Sequence, residues 1–268
     1  MSNTSSRMNL LPVLTAFEPI GLSETNQQAG LMRRVDTKYV IRPDQLEHLL
    51  HEWVQTHRVL EIENRRIFHY HSVYYDTPAL NLYHAHHAGA GARVKFRVRE
   101  YTDSELTFYE VKQRSNKGIT DKQRVRIRES VQLSGLLTDA QQQYAQSLRQ
   151  DNMQEVLQVD YDRITLVAKD REERITIDLN LVYRVEDREM SYPDRVIIEV
   201  KHARGMQTVE RDRFRRLGVR AGSISKYCLG VLSLYPHVKQ NRFKLQLRTL
   251  AKQLSNYGSA ASFGGARI

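Results

Sequence analysis

Seven consecutive residues, Arg93–Val94–Lys95–Phe96–Arg97–Val98–Arg99, carry a cation at every odd position and an apolar side chain at every even one. Side chains alternate faces along a strand with period two. In extended form the segment therefore presents four cations on one face and an apolar other face. The phase recurs along the chain. Glu110, Lys112 and Arg114 share a face opposite Tyr109 and Val111. Lys122, Arg124, Arg126 and Arg128 alternate with Gln123, Val125 and Ile127. Arg174, Thr176 and Asp178 alternate with Ile175, Ile177 and Leu179, and Glu199 and Lys201 with Ile198 and Val200. Guanidinium forks and ammonium groups in such numbers suit phosphate oxygens.

One such strand reads most simply as the solvated face of a sheet. Over five strands that reading weakens, because like charges on neighbouring strands destabilise the pairing. The pattern makes sense if the charged face curls inward and a polyanion fills it. A nucleic-acid-binding sheet is the rival, but such sheets expose aromatic rings for base stacking. Here Phe108 and Tyr161 are the main aromatic candidates on the charged face, so nucleic acid is not the expected partner.

Several elements must position these residues. Arg34–Ile41 reads as a short strand. Pro43 then opens a helix whose Leu46, Leu49, Leu50 and Trp53 share one face. Strands are expected near 67–75, 93–101, 106–114, 122–128, 157–168, 173–181 and 195–201. Helices are expected over a Gln-rich stretch at 136–150 and at 207–217 and 225–234. Long strands without alternating helices predict an antiparallel sheet. The expected class is α+β, a barrel-like antiparallel sheet with helices packed outside. Residues 1–30 read as a flexible lead-in, 31–236 as the folded domain and 237–268 as a mobile tail.

Bulk properties agree. With 41 Lys+Arg against 31 Asp+Glu the formal net charge is +10 and the pI about 9.7, which favours polyanionic partners. The single cysteine, Cys228, excludes an internal disulfide or a four-cysteine zinc site. No stretch approaches the roughly 20 apolar residues of a membrane span, and the N-terminus does not read as a signal peptide. A cytoplasmic protein is the expectation.

In order along the chain stand R-R-V-D-T-K-Y-V-I at 33–41, V-Y-Y-D-T-P-A-L-N-L-Y-H at 73–84 and R-V-K-F-R-V-R-E-Y at 93–101. They are followed by F-Y-E-V-K at 108–112, N-K-G at 116–118, Y-D-R at 161–163, R-I-T-I-D at 174–178, I-I-E-V-K at 197–201 and S-K-Y-C at 225–228. Together they resemble the catalytic domain of the vacuolar transporter chaperone family, the polyphosphate polymerase branch of the triphosphate tunnel metalloenzymes. The likeness covers about 33–235. It implies a tunnel of eight antiparallel strands lined by Lys and Arg. The inositol-phosphate-sensing domain and membrane helices of eukaryotic members have no counterpart in the sequence, which looks like the bare tunnel domain of a bacterial-type member.

The resemblance also implies roles. Lys38 would meet the terminal phosphates. Arg97 and Arg99 match the paired tunnel arginines, Lys112 the lysine after Glu-x, Arg163 and Arg174 the later arginines, and Lys226 the C-terminal lysine. These seven are the expected catalytic cations. Arg93, Lys95, Arg114, Lys117, Lys122, Arg124, Tyr161, Lys201 and Ser225 are the expected substrate contacts, with Ser225 also a plain helix cap. His86 stands where the family places a phosphate-binding arginine, which puts that contact in doubt. Hydrolytic tunnel enzymes begin Glu-x-Glu-x-Lys, whereas this chain has Arg34, Asp36 and Lys38, a departure toward the polymerase branch.

Glu199 is the expected ligand of Mg²⁺ or Mn²⁺, with an ion pair to Lys201 or to a tunnel arginine as its alternative. Glu110 and Asp178 are weaker metal candidates, or orient neighbouring cations. The His84–Ala85–His86–His87 run has no nearby cysteine to support a zinc site. The expected function is an ATP-dependent polyphosphate polymerase with ATP and polyphosphate as partners, no membrane span of its own and a possible membrane partner. A tri- or polyphosphatase in the same tunnel, or a non-catalytic polyphosphate-binding module, are the alternatives.

Overall fold

The computed structural model describes residues 10–28, 34–117, 119–128, 135, 153–206, 208–222, 225–244 and 247–248. Eleven strands form one sheet: β1 (Glu18–Ile20), β2 (Arg34–Ile41), β3 (His57–Leu60), β4 (Phe68–Asp76), β5 (Arg93–Tyr101), β6 (Leu106–Arg114), β7 (Thr120–Arg126), β8 (Gln154–Ala168), β9 (Glu173–Val185), β10 (Arg188–Tyr192) and β11 (Val196–Ala203). The helices are α1 (Leu11–Thr15), α2 (Leu22–Gln28), α3 (Pro43–Trp53), α4 (Asn81–Ala88), α5 (Glu210–Arg216) and α6 (Lys226–Leu234). Eight strands run in the spatial order β2-β11-β9-β8-β4-β5-β6-β7, every neighbouring pair antiparallel. This is the antiparallel path expected from the sequence.

The sheet curls into a half-barrel. Lys38 of β2 lies close enough to Lys112 of β6 for their charges to oppose each other, although five strands separate them along the path. Apolar alternate positions build the convex side. Ile164, Leu166, Ile175, Ile177, Ile198 and Val200 are fully buried against Leu46, Leu49, Leu50 and Trp53 of α3 and Phe214 of α5. Helix α3 starts as its sequence requires: Pro43 opens the first turn and Gln45 accepts from the Arg42 amide at 3.1 Å. Each of its three buried leucines contributes roughly 2 kcal/mol of apolar burial. A smaller cluster of Val94, Phe96, Tyr109 and Val111 packs with Leu82 of α4.

The concave side is divided. Helix α6 fills one part, setting Tyr227, Cys228, Val231 and Leu234 against Leu157, Val159, Leu181 and Tyr183. Gly230 permits this approach, since a Cβ there would lie 2.5 Å from the Tyr183 ring and 2.6 Å from Leu157. The other part is polar and carries the charged faces of the strands.

Three expectations change. The lead-in is folded from Leu10 to Gln28, because Leu10, Leu14, Phe17 and Ile20 are buried in the α3 core and β1 pairs with β3. The beginning of the tail is anchored. Tyr83 donates to the Lys239 carbonyl at 2.7 Å, and Phe243 packs on Tyr83 and His87. Strands β1, β3 and β10, of three to five residues, were too short to show a period. The expected helix at 136–150 lies outside the described residues.

Candidate functional site

The phase read from the sequence holds in three dimensions. Arg93, Lys95, Arg97 and Arg99 of β5 stand opposite Arg114, Lys112, Glu110 and Phe108 of β6. In turn Thr120, Lys122, Arg124 and Arg126 of β7 stand opposite Arg114, Lys112, Glu110 and Phe108. On the other wall, Lys38 of β2 is opposite Glu199 of β11, which is opposite Thr176 of β9. The next step pairs Asp36 with Lys201 and Lys201 with Arg174. Arg163 of β8 is opposite Asp178 of β9.

Two buried carboxylates hold cations in place. Glu110, 2% exposed, accepts from Arg97 Nε at 2.6 Å and from Lys122 Nζ at 2.5 Å, with Arg99 and Arg124 each at 4.0 Å. Burial opposes its charge, but Arg97, Arg99 and Lys122 hold it ionised well below the usual carboxylate range. Asp178, 1% exposed, accepts both prongs of Arg163, Nε at 2.6 Å and Nη2 at 2.9 Å, and also the Lys226 ammonium. The same pull of two cations keeps Asp178 ionised against its burial.

Three lysines differ. Among the described residues, Lys38, Lys95 and Lys112 have no ion pair, and they oppose one another instead. Burial, with Lys38 and Lys112 beside it, lowers Lys95 to about 8. Burial and Lys38 lower Lys112 as well, although its side chain reaches the open space of the concavity. Lys122 and Lys201 are also lowered to about 8 by burial, each against the pull of its carboxylate.

Aromatic rings carry part of the arginine array. Tyr70 and Tyr161 stack at 5.3 Å, and the guanidinium carbons of Arg99 and Arg163 lie 5.4 and 4.9 Å from the Tyr70 centroid. Arg124 sits 3.4 Å from the Phe108 centroid, so Phe108 is a platform for a cation and not an exposed base-stacking surface. The Tyr161 hydroxyl is buried without a hydrogen-bond partner, and Lys226 Nζ lies 4.4 Å from its ring. A donor left so is costly unless a ligand accepts from it.

The remaining expected contacts divide. Arg93 and Arg114 pair one step beyond Lys95 and Lys112, Arg93 donating to the Ala90 carbonyl at 2.9 Å, and Lys117 is exposed in the turn after β6. Ser225 caps α6, accepting from the Cys228 amide at 3.2 Å. His86 departs from a phosphate-binding role. Its Nε2 faces the Val94 carbonyl at 3.3 Å, and burial together with Lys95 and Arg93 pushes its pKa down to about 2, so it is uncharged. His87 accepts from the Arg242 amide, so the histidine run is engaged locally.

Glu199 pairs with Lys201 at 3.2 Å, and Lys201, Lys38 and Lys112 hold it ionised against its burial. It can offer one carboxylate to a divalent ion. Among the described residues, the one group of three metal-capable side chains is His57, Glu173 and Glu210, buried on the convex side. There Arg171 binds Glu173 at 2.7 Å, Arg213 binds Glu210 at 2.5 Å, and Trp53 Nε1 donates to Glu210 at 2.9 Å. Two arginines already neutralise the two carboxylates, which makes this an ion-pair network tying α3 and α5 to the sheet.

The sequence reading did not phase β4, whose Tyr70, Ser72 and Tyr74 stand opposite Tyr101, Arg99 and Arg97. Tyr74 Oη accepts from Arg97 Nη1 at 3.3 Å and Ser72 Oγ from Arg99 Nε at 3.2 Å. The alternation in F-H-Y-H-S-V-Y-Y-D was the available signal.

A model of the VTC domain matches residues 33–235, three quarters of the chain. The chain belongs to the VTC domain family. No curated protein matches it. Among solved structures it is similar to a Hippeastrum protein with a dominant triphosphatase activity, at 12% identity over 76% of this chain and 97% of that one, with a TM-score of 0.46. It is also similar to the PH1819 protein of Pyrococcus horikoshii, at 16% identity over 73% and 97%, with a TM-score of 0.41. Among the described residues of this VTC domain no helix is long and apolar enough to cross a membrane.

Proposed function

We propose that this VTC domain is an ATP-dependent polyphosphate polymerase whose concave face grips the phosphate chain. The observation that supports it is the group of Lys38, Lys95 and Lys112, brought together from three strands without an ion pair among the described residues, while Glu199 and Asp36 act on Lys112 only from longer range. Such a cluster is unfavourable when empty and favourable around an anion with several charges. ATP and polyphosphate are the substrates of this reading. An oxygen of the chain end attacks the γ-phosphorus, the bond from that phosphorus to the β–γ bridging oxygen breaks, and ADP leaves.

The reaction needs in-line positioning and charge neutralisation more than covalent chemistry. Lys38, Lys95 and Lys112 neutralise the reacting phosphates, Arg97 and Arg163 frame them, and the Tyr161 hydroxyl donates to a phosphate oxygen. Glu199 is the carboxylate that would hold Mg²⁺ or Mn²⁺, the substrate phosphates supplying further ligands. That ion would neutralise charge on the phosphates.

Purified protein incubated with ATP and Mn²⁺ tests the reading. Polymerisation gives one ADP per phosphate added and a ladder of long chains on a gel. Orthophosphate release from tripolyphosphate without chain growth would replace it with the phosphatase reading. Tight binding without turnover would replace it with a binding module.

A further inference from the structure

The forks of Arg97 and Arg163 do not face an open concavity. Arg97 gives Nε and Nη2 to Glu110, and its Nη1 lies 3.3 Å from the Tyr74 hydroxyl. Arg163 gives Nε and Nη2 to Asp178. The two arrangements repeat one design on two strand pairs, β5–β6 and β8–β9. A buried carboxylate takes an arginine fork from the neighbouring strand and an ammonium from a further element packed against it: Lys122 of β7 for Glu110, Lys226 of α6 for Asp178.

Two roles are open to such a carboxylate. It can act as a placeholder that phosphate displaces, freeing the fork. Alternatively it can stay, holding the cations so that only their outer edges meet the chain. Geometry favours the second. Both carboxylates are almost completely enclosed, Glu110 2% and Asp178 1% exposed, and neither has solvent into which it could withdraw. Displacing one would leave an ionised carboxylate buried without partners, the costliest outcome for a buried charge.

We infer that Glu110 and Asp178 are permanent counter-ions, positioning residues that fix Arg97 with Lys122 and Arg163 with Lys226 while the unpaired Lys38, Lys95 and Lys112 neutralise the bound chain. The inference rests on the phosphate-binding reading for its consequence, but not for its geometry.

The sign of one effect separates the roles. Glu110→Gln and Asp178→Asn keep shape and remove a negative charge from a site for anions. Simple attraction, or relief of a placeholder, predicts tighter tripolyphosphate binding. Lost positioning predicts weaker binding, by about tenfold for one charge-assisted contact of ~1.4 kcal/mol. Calorimetry with tripolyphosphate on the wild type and both variants reads this directly, with Glu110→Asp recovering part of the loss at its site. Equal or tighter binding by the two neutral variants overturns the inference.

A second readout needs no ligand. In the free wild type the Nε–H resonances of Arg97 and Arg163 should be protected from exchange, each losing protection only in the variant of its own carboxylate. Loss of that protection when tripolyphosphate binds would show displacement and overturn the inference. Failure of the wild type to bind any tripolyphosphate would instead defeat the proposed function. The ligand-free resonances would still decide the counter-ion role, with unprotected Nε–H groups in the free wild type ruling it out.

Discussion

Lys95 of β5 and Lys112 of β6 stand directly opposite each other in the sheet, with Lys38 of β2 facing both across the concavity. Directly opposed like charges destabilise a strand pair by a few tenths of a kcal/mol to about 1 kcal/mol. The fold therefore carries a local defect where the proposed substrate sits. Lys112→Met should raise the melting temperature of the free protein slightly while abolishing most of the stabilisation by tripolyphosphate. For the wild type that stabilisation should approach 2.7 kcal/mol at a ligand concentration about 100 times Kd. A thermal melt with and without ligand measures both; equal ligand shifts in variant and wild type would contradict the assignment.

The depressed lysines set a pH dependence of opposite sign for binding and for stability. Lys95, Lys122 and Lys201 titrate near 8 in the free protein, below the ordinary lysine value of 10.5. Between those values the unfolded chain binds more protons than the folded one, so the stability of the free protein should rise with pH through this window. The rise should be visible from 8 to about 9.5, before unfolded tyrosines ionise. Tripolyphosphate favours the charged lysines, so its affinity should fall over the same interval and its binding should take up protons. Calorimetry at pH 8.5 in two buffers of different ionisation enthalpy measures that uptake, and zero uptake would refute it.

Beyond its part in holding the chain, Arg97 bears on turnover. Arg97→Lys keeps a charge but loses the fork that Glu110 holds at 2.6 Å. A fall in kcat of roughly tenfold per ~1.4 kcal/mol of lost transition-state contact is expected, with a smaller change in KM for ATP. Arg216→Lys, an exposed control on α5, should leave both unchanged. Were Arg97→Lys to raise KM alone, in proportion to ionic strength, Arg97 would be part of a general basic surface.

Stability depends on a residue outside the basic cluster. Asp76, fully buried at the end of β4, accepts from the amides of Thr77 at 2.7 Å and of Leu82 and Tyr83 at 2.9 Å, and from the Tyr227 hydroxyl. It therefore fixes the start of α4 and joins it to α6. Asp76→Asn replaces an acceptor of four donors by one carbonyl and a donor, at a cost of roughly 2–3 kcal/mol. Urea denaturation reads this. An unchanged midpoint would mean that the α4–α6 junction contributes nothing to global stability.

Much of this site was legible because a strand writes its faces into the sequence at period two. The alternations at 93–99, 110–114, 122–126 and 174–178 located the charged face, and the structure keeps their phase. Partnership was not legible. Nothing local tells that Glu110 collects Arg97 and Lys122, or that Asp178 collects Lys226 from 48 residues away, because these contacts depend on strand order and curl. The same limit hid the lead-in. Leu10, Leu14, Phe17 and Ile20 look sparse in sequence and are buried only because α3 and the convex sheet face offer them a surface. His86 replaces the arginine of the motif, which already set its phosphate contact apart; what the sequence did not carry is that burial beside Lys95 and Arg93 leaves it neutral and turned to a backbone carbonyl.

The central claim is a location: the phosphate chain lies on the concave face, against Lys38, Lys95 and Lys112. A crystal structure of the protein with bound tripolyphosphate tests it most directly. Phosphate oxygens are expected within hydrogen-bonding distance of all three ammonium groups, with Glu110 still on Arg97 and Asp178 still on Arg163. Tripolyphosphate on the outer basic surface, with the three lysines unliganded, would contradict it.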